Sequence, residues 1–506
     1  MSRLTRNIIY NFCGQGLLLV LGFVAVKYVF KQLGEDALGI IYFSIALSAL
    51  LSGALDMGLG ATTVREISAH ASDEPLYAAD LLRTGSLFYW AAYITVAVGV
   101  YFLVPSLVTK WINLKTLDPA AAIPVLRILG IGTLLAFPRA FYTSILRGVQ
   151  RMEFNNLIDV ATGAFQQFGT IVILVRGGGL MHVAYWFGAC FALGIAAYFL
   201  ISSHFFSFRA LVPGYSSEVV KRNFRYASRM ASISILAMVH TQSDKAIVSR
   251  LLPLRVFGYY GLAYGAVSRG ALMATSVSQA AFPSLSKLHK AGDQSGLAEQ
   301  YRKLQDLLCF AMVPLFAAIP FAAVPLFTYM LNAEVARSLL LPVTFLCLGF
   351  YMNGTLTVPY YLSLAVGRPG ITARSNFYAL FCVLPMTFAL VYLFGLSGAG
   401  FSWVFYHVFA YAYAIPRVCR ECLGISTFSW YIHVLKVLFL VAVTYGAAWA
   451  VLSFVGGNSV LSLLLAYTIA STAFVTVAYL GMGVELRDSV RRLLVWGREG
   501  SPVIAL

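Results

Sequence analysis

Charged side chains stand within long apolar stretches of this sequence, and eight of them could shape its chemistry. They are Lys27, Arg127, Arg139, Lys245 and Arg269, against Asp56, Asp159 and Asp244. An ionised group in hydrocarbon costs about 2.5–3.5 kcal/mol, so it persists where it faces a wet cavity or a partner. Five cations against three acids leave a net-positive interior. Such an interior attracts an anionic headgroup such as a phosphate or diphosphate, for which arginine supplies paired donors. Arg269 is the leading candidate. Helical rise places it about 20 Å into a span, near the midplane, with Ser276 and Gln279 on nearby azimuths. Lys27 and Lys245 lie in the outer thirds of their spans. Arg127 sits about one turn inside an outer end, and Arg139 lies deeper in the same helix. Snorkelling to the interface, or pairing with an acid, is the competing account of these cations. His240 and Asp244 share a helix face at i and i+4, a spacing for possible ion coupling through a protonation-dependent hydrogen bond. Asp244 is equally placed as a counter-ion to Arg269.

The elements that must position these groups are membrane helices. Of 506 residues, 60% are hydrophobic and 11% charged, where a soluble domain carries about 25% charged residues. Apolar windows long enough to span a bilayer recur at 8–30, 38–60, 84–104, 123–146, 155–175 and 181–203. A second series follows at 226–250, 257–282, 304–331, 338–364, 375–394 and 401–419, then 432–455 and 459–481. None shows the strict alternation of a membrane β-strand. The expected fold is therefore all-α and polytopic, with about 14 transmembrane helices.

A shift of 219 residues aligns Arg6 with Arg225, Lys31 with Arg250, Leu33 with Leu252, Gly39 with Gly258, and His70 with His289. Six spans separate the copies, which keeps their orientation and makes the repeat parallel. The expected organisation is a six-helix lobe over 1–210, a second over 211–425, two additional helices over 426–483, and a cytoplasmic tail over 484–506.

Most of the 36 Lys and Arg residues fall in the loops of one side, which places that side, the N-terminus and the C-terminus in the cytoplasm. The first apolar run is too long for a secretory signal and leads into another span, so it is expected to stay uncleaved. The basic balance of +16 is thus a matter of topology, and its dispersal over short loops argues against a nucleic-acid partner. The seven cysteines are scattered. Cys419 and Cys422 lack the further ligands a zinc site needs, so neither a metal nor a cofactor is expected. Short loops leave no room for a soluble catalytic domain, and the chain does not read as an enzyme. Glu66, Asp73, Glu74 and Asp80, beside Arg65 and Arg83, read as a solvated connector. Asn7, Asn11 and Gln15 form a polar seam on the first span. Pro138, Pro359, Pro385 and the trio Pro314, Pro320 and Pro325 mark candidate hinges.

The stretch LLSGALDMGLGATTVREISAH from Leu50 to His70, together with LRVFGYYGLAYGAVS and LRGVQRMEFNNLIDV, resembles the polysaccharide transporter family. That family includes Wzx-type oligosaccharide-lipid flippases and belongs to the multidrug/oligosaccharidyl-lipid/polysaccharide exporter superfamily. Asp56, Gly58, Arg65 and Glu66 match its second-helix ending, and Gly258, Tyr259 and Tyr260 the start of its eighth helix. The resemblance implies an inner-membrane flippase that moves an undecaprenyl-diphosphate-linked oligosaccharide outward by alternating access, for surface polysaccharide biosynthesis. Other polysaccharide-assembly membrane proteins would be its neighbours. It also implies a cavity lined by helices one, two, seven and eight, which contain Lys27, Asp244, Lys245 and Arg269 but not Arg127 or Arg139. A drug or cation antiporter of the same superfamily, and a non-transporting subunit of a glycan-assembly complex, are the alternatives.

Overall fold

The computed structural model of the chain describes residues 3–71, 73–457 and 459–481, and only the backbone of residues 3–13, Arg229, Ser232 and Ile233. The seam side chains Asn7 and Asn11 and the tail over 484–506 lie outside the described residues. The described residues are helical almost throughout, with no strand among them. In chain order the helices are α1 (Arg3–Leu33), α2 (Glu35–Leu55), α3 (Leu59–His70), α4 (Pro75–Ser106), α5 (Pro119–Leu134), α6 (Ala136–Gly148), α7 (Met152–Val175), α8 (Leu180–Phe205) and α9 (Phe208–Leu211). They continue as α10 (Ser217–Leu251), α11 (Leu254–Ser268), α12 (Ala271–Lys290), α13 (Gln294–Met330), α14 (Ala333–Ala365), α15 (Gly370–Val418), α16 (Thr427–Val441), α17 (Ala447–Val455) and α18 (Val460–Gly481).

Among the described residues, eleven helical stretches are long and apolar enough to cross a membrane. One of them, Gly370–Leu423, is broken inside α15 at Gly395, whose backbone angles (φ 56°, ψ −129°) no helix contains. Helices α10, α11 and α12 fall below that standard of length and apolarity. The polar and charged residues of α10, and the short length of α11, account for this. Polar caps end several helices. Asp118 accepts from Ala120 N at 3.1 Å, Asp293 from Gly296 N at 2.9 Å, and Asn332 from Val335 N at 2.8 Å. Each satisfies a backbone donor that the helix start leaves open.

The expected hinges divide into two kinds. At Pro138 the fourth span breaks: α5 ends at Leu134 and α6 begins at Ala136. The ring of a proline forbids the hydrogen bond its own nitrogen would donate, and the break lies within one turn before it. By contrast α13 runs unbroken through Pro314, Pro320 and Pro325. Neighbouring helices hold it straight enough to remain one element.

Contacts group the chain into two compact units, Met1–Leu262 and Ala263–Leu506. In the first, α1 packs on α7, α5 on α8, α3 on α6, and α10 on α2 and α3. Its core is aromatic, with Tyr89, Phe137, Phe141, Tyr142 and Tyr198 almost fully buried. In the second, α13, α14 and α15 pack in sequence, α12 lies on α14, and α18 lies on α13. Large apolar side chains such as Phe102, Phe381 and Phe454 remain exposed on the outer surfaces, as expected of faces solvated by lipid. Lipid tails are as apolar as leucine, so close backbone approach and polar contacts carry much of the helix association here. The approach of α2 to α11 is an instance. A Cβ on Gly258 would stand 2.8 Å from Gly39 N, and one on Gly39 would stand 2.4 Å from Leu254 O. Phe43 and Phe257 pack edge to face beside them, with ring centroids 6.0 Å apart.

Candidate functional site

The three embedded acids of the first unit share one arrangement that the sequence reading missed. Each accepts a hydrogen bond from a fully buried tyrosine hydroxyl. Tyr89 donates to Asp56 Oδ1 at 2.9 Å, Tyr198 to Asp159 Oδ1 at 2.5 Å, and Tyr260 to Asp244 Oδ2 at 2.6 Å. Only Asp244 of the three is buried, Asp56 and Asp159 being half-buried, and in each case the hydroxyl replaces hydration that the carboxylate has lost. The tyrosines come from different helices than the acids they serve, so no local spacing announces them.

Lys245 and Arg139 meet two of these acids. Lys245 lies 3.3 Å from Asp244 Oδ1, and its ammonium also donates to Thr241 O at 2.7 Å. Arg139 forms an ion pair with Asp159 and lies over the Tyr198 ring, 5.3 Å from its centroid. The pairing account therefore describes Arg139 and Lys245. Arg127 donates through Nε to Tyr101 O at 3.0 Å and stacks on that residue's ring at 4.2 Å. Lys27 is half-buried on α1, and His240 is half-buried on α10, one turn before Asp244.

Arg269 differs from these. It stands, exposed, in the two-residue break between α11 and α12, where the sequence suggested a continuous span. Gly270 follows it, and there a Cβ would come within 2.9 Å of the Phe316 ring, so glycine lets α12 begin against α13. Across the break the backbone stays bonded, Gly270 N donating to Val267 O at 3.1 Å and Leu272 N to Arg269 O at 3.2 Å, so the guanidinium is the group here suited to an anion.

The acidic connector of the first unit is not simply solvated. Glu66 is only 4% exposed on α3. Its Oε2 accepts from the Tyr77 hydroxyl at 2.7 Å, and its Oε1 pairs with Arg65. Asn223 of α10 donates to the Tyr77 oxygen at 2.8 Å, while Arg222 reaches Glu74 at 2.9 Å and covers the Tyr77 ring at 4.0 Å. His70 lies 3.0 Å from Glu74. Burial alone pushes the Glu66 carboxyl up. The hydrogen bonds from Tyr77 and Arg65, with the charges of Arg65 and His70, outweigh it and hold the group below its ordinary value. The Arg222 guanidinium holds exposed Glu74 low in the same way. The network ties α3, α4 and α10 together.

At another position a buried carboxylate pins a loop. Asp36 accepts from the backbone nitrogens of Lys115, Thr116 and Leu117 at 3.0, 2.6 and 3.1 Å, and from the Thr116 hydroxyl at 2.9 Å. This fixes the segment after the π turn Leu107–Trp111 against the start of α2. In the second unit Gln305 donates to Thr355 O at 3.1 Å, and the hydroxyls of Thr355 and Tyr411 meet at 2.5 Å. Asp306 and His433 pair there at 3.2 Å.

A family model described as "Polysaccharide biosynthesis protein" matches residues 4–289. A Shigella flexneri protein named "Putative O-antigen transporter" is 20% identical over 404 residues, which cover 79% of this chain and 93% of that protein. Among solved structures, the lipid II flippase MurJ in an inward closed conformation superposes with a TM-score of 0.69 at 14% identity, covering 96% of this chain and 100% of that one. An inward-facing multidrug resistance MATE family transporter of the MOP superfamily gives 0.63 at 14% identity, covering 83% and 94%. The fold is thus that of the MOP transporters, and the chain is a multi-pass membrane protein.

Proposed function

The chain belongs to the polysaccharide biosynthesis protein family, and from that premise we propose that it is a flippase for a lipid-linked oligosaccharide. Its cargo would be an undecaprenyl-diphosphate-linked glycan, carried across the inner membrane from the cytoplasmic leaflet by alternating access. Both termini would be cytoplasmic, and the repeated lobes over 1–210 and 211–425 would be the working parts. The observation that carries this reading is the likeness over 79% of the chain to a protein named "Putative O-antigen transporter", and over 96% of it to the fold of a lipid II flippase.

The embedded cations give the reading its chemistry. Arg269, at the helix break, would take the diphosphate through bidentate hydrogen bonds, with Lys27 and Arg127 adding positive potential. Lys245 and Arg139 could join only by exchanging Asp244 and Asp159 for phosphate oxygens. Asp244, with His240 one turn before it, would be the point at which a coupling ion or proton acts.

Arg269→Ala should abolish surface glycan in cells whose own copy is deleted, with normal protein in the membrane, while Arg269→Lys should retain part of the activity. Full export by the alanine variant would remove Arg269 from the cargo site. Likeness to the MATE fold keeps an antiporter for cationic drugs as the second reading. Drug efflux from the same cells, with glycan export unaffected, would select it.

A further inference from the structure

We propose that the second unit contains a subsite for one neutral sugar ring of the cargo, built around His407; this rests on the flippase reading. A cavity of about 290 Å³ lies between α12, α14 and the two halves of α15. It is many times the roughly 30 Å³ that one water occupies in the liquid. Asn353, Thr357, Tyr360, Asn376, Tyr406 and His407 are among its lining residues, and no Lys, Arg, Asp or Glu lines it.

His407 is fully buried, yet only half of its imidazole is satisfied. Its Nδ1 lies 2.6 Å from the Trp403 carbonyl. A carbonyl can only accept, so the proton sits on Nδ1 and Nε2 is left as a bare acceptor. That Nε2 has no hydrogen-bond partner among the described residues. A buried acceptor without a donor is a standing cost, which a ligand hydroxyl would remove. Around it, the ring of Trp403 stacks on the imidazole at 5.5 Å, and the ring of Tyr406 stands edge-on at 4.8 Å. The Tyr406 hydroxyl donates to Asn376 Oδ1 at 3.1 Å and so orients that amide.

Aromatic edges with neutral donors and acceptors suit a polyhydroxylated ring. A metal cation would call for carboxylate oxygens, which the lining lacks, and an anionic sugar would call for a cation. The cavity also lies near the end of the unit that carries Arg368 and Arg374, the side expected to face the cytoplasm, where such a cargo would be loaded.

Saturation-transfer NMR on the full-length protein in lipid nanodiscs tests this, with glucose, galactose, N-acetylglucosamine and glucuronate as the probes. At least one neutral sugar should give a signal that weakens about tenfold in apparent affinity in His407→Phe and in Asn376→Ala. Glucuronate should give none. His407→Gln, which restores a polar atom, should recover part of the binding, and all variants should elute and melt like the parent. Absence of signal from every neutral sugar, or a signal unchanged in both weakened variants, overturns the subsite. The same preparations in vesicles are then assayed for transfer of a short-chain prenyl-diphosphate-linked glycan. Transfer without sugar binding overturns the subsite alone, whereas loss of both overturns the flippase reading with it.

Discussion

Two regions of the molecule, one in each compact unit, handle embedded polarity in opposite ways. In Met1–Leu262 the notable groups are charged and engaged: Asp244 with Lys245 and Tyr260, Asp159 with Arg139 and Tyr198, and Glu66 with Arg65 and Tyr77. Around the cavity of Ala263–Leu506 they are neutral, and one buried imidazole nitrogen has no hydrogen-bond partner among the described residues. Paired charges fix helices relative to each other, because removing one partner strands the other in low dielectric. A neutral, unsatisfied acceptor fixes nothing and is free to meet a ligand. The contrast teaches that a buried polar residue is read by its partner, not by its burial.

The contrast breaks most visibly at Asp244. Asp244→Ala should destabilise the protein by about 3 kcal/mol, because Lys245 and Tyr260 both lose their buried acceptor. Thermal unfolding in detergent checks this, and a shift near zero would mean that the pair is not a structural tie. Glu66→Gln should cost about 1–2 kcal/mol near neutral pH. The sign of its pH dependence follows from the lowered carboxyl. The stabilisation is complete above the ordinary carboxyl value of 4.5 and is lost as pH falls through the lower folded value. Wild type and Glu66→Gln should therefore converge in acid, and curves that stay parallel there would place the effect elsewhere. The smallest change belongs to the second unit. His407→Phe should alter stability by less than about 1 kcal/mol, since only the bond to the Trp403 carbonyl is lost. A large loss would show that His407 is as structural as Asp244, and would erase the contrast.

Much of this was legible in the sequence, for identifiable reasons. Hydropathy over span-length windows located the apolar helices, since lipid demands continuous apolar stretches. The eight embedded charges stood out because hydrocarbon penalises them. Their partners did not, since Tyr89, Tyr198 and Tyr260 reach Asp56, Asp159 and Asp244 across helix boundaries. Glu66 read as solvated because its neighbours are charged, yet Asn223 and Tyr77, distant in sequence, enclose it. The break beside Arg269 carried no proline to announce it, whereas the one at Gly395 falls in the gap between the expected spans 375–394 and 401–419. Nothing in the sequence marked His407, because the helix packing that makes its cavity joins segments distant along the chain.

The contact between Gly39 and Gly258 has a consequence for how this chain can change. The 219-residue shift aligns these two positions, and in the fold their backbones meet. A methyl group on either would press on the helix that carries the other, so neither position admits a larger residue unless α2 and α11 move apart.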